Sequence, residues 1–184
     1  MDLGKIRDQI ALKLVNRKKN RYPLDEIPHT DFLDLTYVYF VILYMDEKGV
    51  DTVMIRNEYL DRWGISVDEL HAMAEKNFRR LFSMEIFGVQ EQDRIIMVTT
   101  KYKMFGAVFM NDRRFIGSMA DLFRDDICII PSSIHEIILC PADGIEREQM
   151  DSIICDVNEK AVEEDEYLSD HMYLFSREEK RVMF

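Results

Sequence analysis

Residues 34–45 read Asp-Leu-Thr-Tyr-Val-Tyr-Phe-Val-Ile-Leu-Tyr-Met, β-branched or aromatic at most positions and apolar on both alternating sets. Successive side chains of a strand point to opposite faces, so such a segment is stable only where both faces are covered. It predicts a central strand, and a chain built around it must supply strands beside it and helices over it. Glu47-Lys48-Gly49 provides a turn, and residues 50–55 provide the antiparallel partner. Tyr37 and Tyr39 offer hydroxyls to a ligand, although β propensity accounts for them without one.

On either side of this hairpin the periodicity is helical. Leu3, Ile6, Ile10 and Leu14 recur at three- and four-residue steps, predicting an amphipathic helix over residues 2–19 within a basic N-terminal segment, 1–22. Its Arg17-Lys18-Lys19 end suits the negative pole of the helix dipole. Pro23 and Pro28 mark a linker. Downstream, residues 57–63 form a short helix stopped by Gly64, and Ser66-Val67-Asp68-Glu69 has the form of a capping box opening a helix to about residue 82. His71 and Trp63 in this region read as packing or surface residues.

After a loop over 88–93, residues 94–100 and 105–110 read as strands. Asn111 or Asp112 caps a helix carrying Phe115, Met119, Leu122 and Phe123. Residues 127–130 form a buried strand ended by Pro131, and 134–140 resume as a strand. Asp143 is placed to cap a last long helix whose buried stripe is Met150, Ile153, Ile154, Val157 and Ala161. Residues 172–175 read as a final edge strand and 177–184 as a flexible tail. Hairpins interleaved with helices indicate an α+β fold, with a mainly antiparallel sheet and helices packed on it. At 184 residues and 47% hydrophobic content, a single domain spanning 1–184 is expected.

Several pieces of this order are similar to one known pattern. Asp34-Leu35-Thr36 opens the aromatic strand, Ile55-Arg56-Asn57-Glu58-Tyr59-Leu60 leads to Trp63-Gly64, and Ala74 and Asn77 follow in the capped helix. Ile130-Pro131-Ser132-Ser133-Ile134-His135-Glu136-Ile137-Ile138, Asp156-Val157-Asn158, and Leu168-Ser169-Asp170 with Tyr173 complete it. Together, over about residues 30–176, these resemble the bacterial family catalogued as domain of unknown function 5688, found mainly in anaerobic Firmicutes. The resemblance implies a bacterial cytoplasmic setting and a single domain. It assigns no activity, substrate, cofactor or catalytic residue.

Charge narrows the function classes. The chain carries a net −11, which argues against a general nucleic-acid binder, because phosphate binding rewards dense Lys and Arg. The distribution is polar: residues 1–21 hold a net +5, whereas between 141 and 170 eleven carboxylates face only Arg147 and Lys160, a net −9. Glu163, Glu164, Asp165 and Glu166 form a solvated acidic turn and the candidate binding segment. A basic protein is the natural partner for such a surface. No apolar run approaches the roughly 20 residues of a membrane span, and no secretory segment opens the chain, so a soluble cytoplasmic protein is expected. Its oligomeric state is not encoded in these patterns.

One cluster holds the residue types of a hydrolase: the hydroxyls of Ser132 and Ser133, the imidazole of His135 and the carboxylate of Glu136. These are the candidate catalytic residues. If 134–140 is a strand, His135 and Glu136 point to opposite faces, so the carboxylate must come from elsewhere, with Asp170 a candidate. There is no Gly-x-Ser-x-Gly elbow. The competing reading is a turn whose hydroxyls satisfy local backbone groups. His29, His71, His135 and His171 stand far apart, and Cys128, Cys140 and Cys155 have no zinc-site spacing, so no metal and no cofactor are called. The cysteines read as reduced, buried thiols. A non-enzymatic binding module is favoured, with the Ser/His hydrolase as the alternative.

Overall fold

The computed structural model describes residues 1–46, 49–88 and 94–184, so the expected turn at Glu47 and Lys48 and most of the 88–93 loop lie outside it. The fold is α+β with antiparallel sheets. The chain divides into two compact units, Met1–Ser83 and Met84–Phe184, each with its own sheet.

The first unit comprises α1 (Leu3–Ile6), β1 (Ile10–Asn16), β2 (His29–Phe32), β3 (Leu35–Asp46), β4 (Gly49–Met54), α2 (Asn57–Trp63) and α3 (Val67–Leu81). The expected central strand is β3. β1 flanks it on one side, with Ile10 opposite Val41 and Asn16 opposite Leu35, and β2 and β4 also pair with it. From Leu35 to Ile42 every residue of β3 is buried. Each such side chain contributes about 1.5–3 kcal/mol on burial, which makes β3 the thermodynamic anchor of the unit.

The expected N-terminal helix over residues 2–19 does not form. Only α1 and a 3-10 turn over Arg7–Gln9 are helical, and Ile10–Asn16 is a strand buried throughout. The apolar residues at 10, 11, 12, 14 and 15 fit either period, and β3 decides between them. A strand covered on both faces also needs ladder partners along its edges, and β1 satisfies those amides and carbonyls. Arg17-Lys18-Lys19 is accordingly a turn rather than a helix end, with the Asn16 Oδ1 accepting from the amides of Lys18 and Lys19 at 2.8 and 2.7 Å. Lys13, buried in β1, donates to the Tyr22 hydroxyl at 2.8 Å. Part of the expected linker is β2.

α3 follows its sequence signals. Ser66 accepts from the Glu69 amide, and the Glu69 carboxylate accepts from the Ser66 amide, forming the capping box. Leu70, Ala74 and Phe78 are buried, and Asn77 donates from its buried amide to the Arg7 and Ile10 carbonyls, both at 2.8 Å. His71 Nδ1 meets the Tyr39 hydroxyl at 2.9 Å, and that hydroxyl also shares a hydrogen bond with Thr30. Trp63 stacks on Tyr59 and donates to the Met1 carbonyl.

The second unit contains β5 (Met84–Phe87), β6 (Ile96–Thr100), α4 (Arg113–Phe123), β7 (Ile127–Ser133), β8 (Glu136–Pro141), α5 (Arg147–Ala161), β9 (Tyr173–Ser176) and β10 (Arg181–Met183). Its sheet runs β10-β9-β7-β8-β6-β5, all neighbours antiparallel. Several expectations change. β5 was not anticipated. The expected strand over 105–110 is a 3-10 helix, Gly106–Asn111, entered through Phe105 at φ 63°. The tail pairs as β10, so β9 is interior rather than an edge. Pro131 lies within β7, beyond the end of the β9 ladder at Ile129 and beside the register shift to Ser133, where a missing amide donor is tolerated.

Candidate functional site

The β7–β8 connection is shorter than predicted. β8 begins at Glu136, so Ile134 and His135 form the turn itself, and the strand alternation expected for His135 does not apply. The turn is tied from three directions. The His135 carbonyl accepts from the Thr99 hydroxyl at 2.7 Å and the Gly106 amide at 2.9 Å, and the Ile134 amide donates to the Glu166 carbonyl at 2.9 Å. The two backbones approach so closely at Gly106 that a Cβ there would lie 2.5 Å from the His135 oxygen and from Thr99 Cα.

The four catalytic candidates separate into two pairs. Ser132 donates to the Glu136 carboxylate at 3.0 Å, and Ser133 Oγ accepts from the His135 amide at 3.0 Å. The imidazole is held at both nitrogens: Nδ1 accepts from the Phe105 amide at 3.2 Å, and Nε2 faces Glu166 Oε1 at 3.2 Å. An accepting Nδ1 places the ring proton on Nε2, directed at Glu166. The orienting carboxylate is therefore Glu166, from the acidic turn, in place of the suggested Asp170. Glu163 belongs to the same turn, whose Glu166 amide donates to the Glu163 carbonyl; Glu163, Glu164 and Asp165 are exposed.

Sequence reasoning missed the concave feature beside this turn. A cleft of about 620 Å³ opens between α5 and the face of β7 and β8 that carries Ile130, Ser132, Ile138 and Cys140. Its origin lies in how α5 is held. The helix begins at Arg147 after Glu146, not at an Asp143 cap. Along one side Arg147 donates to the Met172 carbonyl at 3.1 Å, Asp151 accepts from the Met172 amide at 2.7 Å, and Asn158 donates to the Ser169 carbonyl at 2.8 Å. These three lace the helix to residues 169–172 and leave its opposite flank off the sheet. Of the expected buried stripe only Ile154 is buried; Ile153 and Val157 are 50% and 48% exposed, and Ile95 across the cleft is 51% exposed.

The charged lining is mostly committed. Arg94 donates to the Phe123 carbonyl and lies over the Phe123 ring, which leaves the Asp143 carboxylate as the acidic group of the lining. Cys140 lies in the wall, opposite Cys128 on β7. The hydrogen bond to Cys140, together with burial, pushes the Cys128 thiol well above its ordinary value. Both are free thiols; Cys155, expected to be buried, is exposed, with its thiol on the Asp170 carbonyl at 3.4 Å. Among the described residues no three His, Cys, Asp or Glu side chains converge as a metal-binding group, and no helix is long and apolar enough to cross a membrane.

The family described as Family of unknown function (DUF5688) matches residues 1–177. The chain belongs to this family. The match takes in the N-terminal segment as well as the region that carries the quoted motifs. No curated protein and no solved structure matches the chain significantly.

Proposed function

We propose that this DUF5688 member is a protein-interaction module that seats an amphipathic basic helix of a partner protein in the α5 cleft. The observation that carries the reading is the exposed apolar flank of α5. Ile153 and Val157 face Ile95, Ile130 and Ile138 across a groove, in a stretch of chain whose net charge is −9. Apolar anchors at i, i+3, i+4 and i+7 fill such a groove, and Lys or Arg on the flanks of the same helix complement Asp143 and the carboxylates of α5. The hydrolase alternative draws less support. The His135 nitrogens face the Phe105 amide and Glu166, and the hydroxyls of Ser132 and Ser133 face Glu136 and the His135 amide.

Fluorescence anisotropy with two labelled peptides tests it, one carrying Leu anchors and Lys flanks, the other the same anchors with Glu flanks. The basic peptide is expected to bind at least tenfold more tightly, to weaken as salt rises from 50 to 300 mM, and to lose binding in Val157→Lys. Equal binding of the two peptides, or unchanged binding in Val157→Lys, overturns the reading.

A further inference from the structure

Beneath the cleft three sulfur-bearing side chains share one buried cluster. Cys128 and Cys140 are direct register partners across β7 and β8, so their side chains leave the same face of the sheet. Leu174 of β9 is the register partner of Cys128, and Met172, two residues earlier, projects to that same face. The Cys128 thiol donates to Met172 Sδ at 3.7 Å, and Cys140 stands directly across the ladder from Cys128. The three side chains form one buried cluster capped by Ile154 of α5, with Cys128 0%, Met172 4% and Cys140 7% exposed. Because Cys140 also lines the cleft, the cluster has a route to solvent.

We infer that Cys128, Cys140 and Met172 form a binding site for a soft monovalent cation, Cu(I), held by two thiolates and one thioether. Thiolate and thioether donors together select Cu(I) over the harder divalent ions. Metal–sulfur bonds of about 2.3 Å arranged trigonally place the sulfurs about 4 Å apart. The Cys128–Met172 pair, at 3.7 Å, meets that spacing with a displacement of only a few tenths of an ångström. A tetrahedral Zn²⁺ would need a fourth ligand.

Binding exchanges one Cu(I) for two thiol protons, with no change of oxidation state. The bound centre carries one net negative charge, and Arg147, whose positive charge acts on Cys128, offsets it; Asp151 acts in the opposite sense. Proton release makes the affinity fall as pH falls. Two residues of the set come from adjacent strands and the third from the segment leading into β9, at sequence spacings of 12 and 32 that resemble no metal motif.

The test is anaerobic titration of the full chain with Cu(I) against the chromophoric chelator bicinchoninate, followed by copper X-ray absorption. Wild type and Cys155→Ser are expected to withdraw one equivalent of Cu(I), with a sulfur-only first shell. Cys140→Ser should weaken binding at least tenfold. Met172→Leu, which conserves volume and protects against a folding artefact, should reduce the shell from three sulfurs to two. Retention of the ion by the chelator, a shell of nitrogen or oxygen, or wild-type binding in folded Met172→Leu and Cys140→Ser overturns the inference. Loss of binding in Cys155→Ser would move the site to the exposed thiol and overturn it equally.

Discussion

At the scale of single residues, buried polar groups determine where the molecule is sensitive. Tyr39 sits in β3 with its hydroxyl between Thr30 and His71, and burial raises its pKa from 10.0 to about 12. The folded state therefore keeps a proton that the unfolded chain loses above pH 10. This contribution is whole below pH 10 and is lost as the pH climbs toward 12, at a cost of about 3 kcal/mol. Urea denaturation of Tyr39→Phe should show lower stability at neutral pH, from the lost hydrogen bonds, and a flatter decline between pH 10 and 12.

Gly106 is the second sensitive point, because a Cβ would be driven into the His135 carbonyl and the Thr99 backbone, neither of which is a movable side-chain tip. Gly106→Ala should lower stability by about 2 kcal/mol or more in thermal melts. His135 tests the turn. His135→Ala leaves the Phe105 amide without its acceptor and should cost about 1–3 kcal/mol, whereas Glu166→Gln keeps an acceptor opposite the ring and should cost less.

At the scale of elements, the informative comparison is between α3 and α5, two 15-residue helices. In α3 the helical spacing of Val67, Leu70, Ala74, Phe78 and Leu81 predicts one buried stripe; Leu70, Ala74 and Phe78 are buried, Val67 and Leu81 half-buried, and the capping box is formed. In α5 the same reasoning named five buried positions, and one of them, Ile154, is buried. The difference arises from Arg147, Asp151 and Asn158, whose bonds to residues 169–172 hold the helix to one side. Ile154→Ala should consequently cost about 2–5 kcal/mol in chemical denaturation. Val157→Lys should stay within about 0.5 kcal/mol of wild type, as for an exposed helical site. Equal costs at the two positions would mean that α5 packs symmetrically and that the cleft is closed.

At the scale of the whole molecule, two sheets each build a core, around β3 in Met1–Ser83 and around β7 and β8 in Met84–Phe184. Native-state hydrogen exchange should place the slowest amides in both β3 and β7, with faster exchange at β4 and β5 near the sheet margins. Much of this was legible in the chain. The β3 run, the Ser66 cap, the apolar strands around residues 127–140 and the separation of basic and acidic ends all follow from local period and composition. These signals survive because each is written in the period or composition of a single stretch of chain.

What only the tertiary structure decided is whatever depends on a partner from elsewhere in the chain. Residues 10–16 could follow a helical or a strand period, and the edge of β3 made them β1. His135 found its carboxylate in Glu166, thirty-one positions away, because a turn rather than a strand carries the ring. The cleft exists because three polar bonds tether α5 on one side, and Cys128 and Cys140 share a buried cluster with Met172 because antiparallel register sets the two cysteines on one face. Periodicity states which faces of an element are apolar; only packing determines which of those faces are covered.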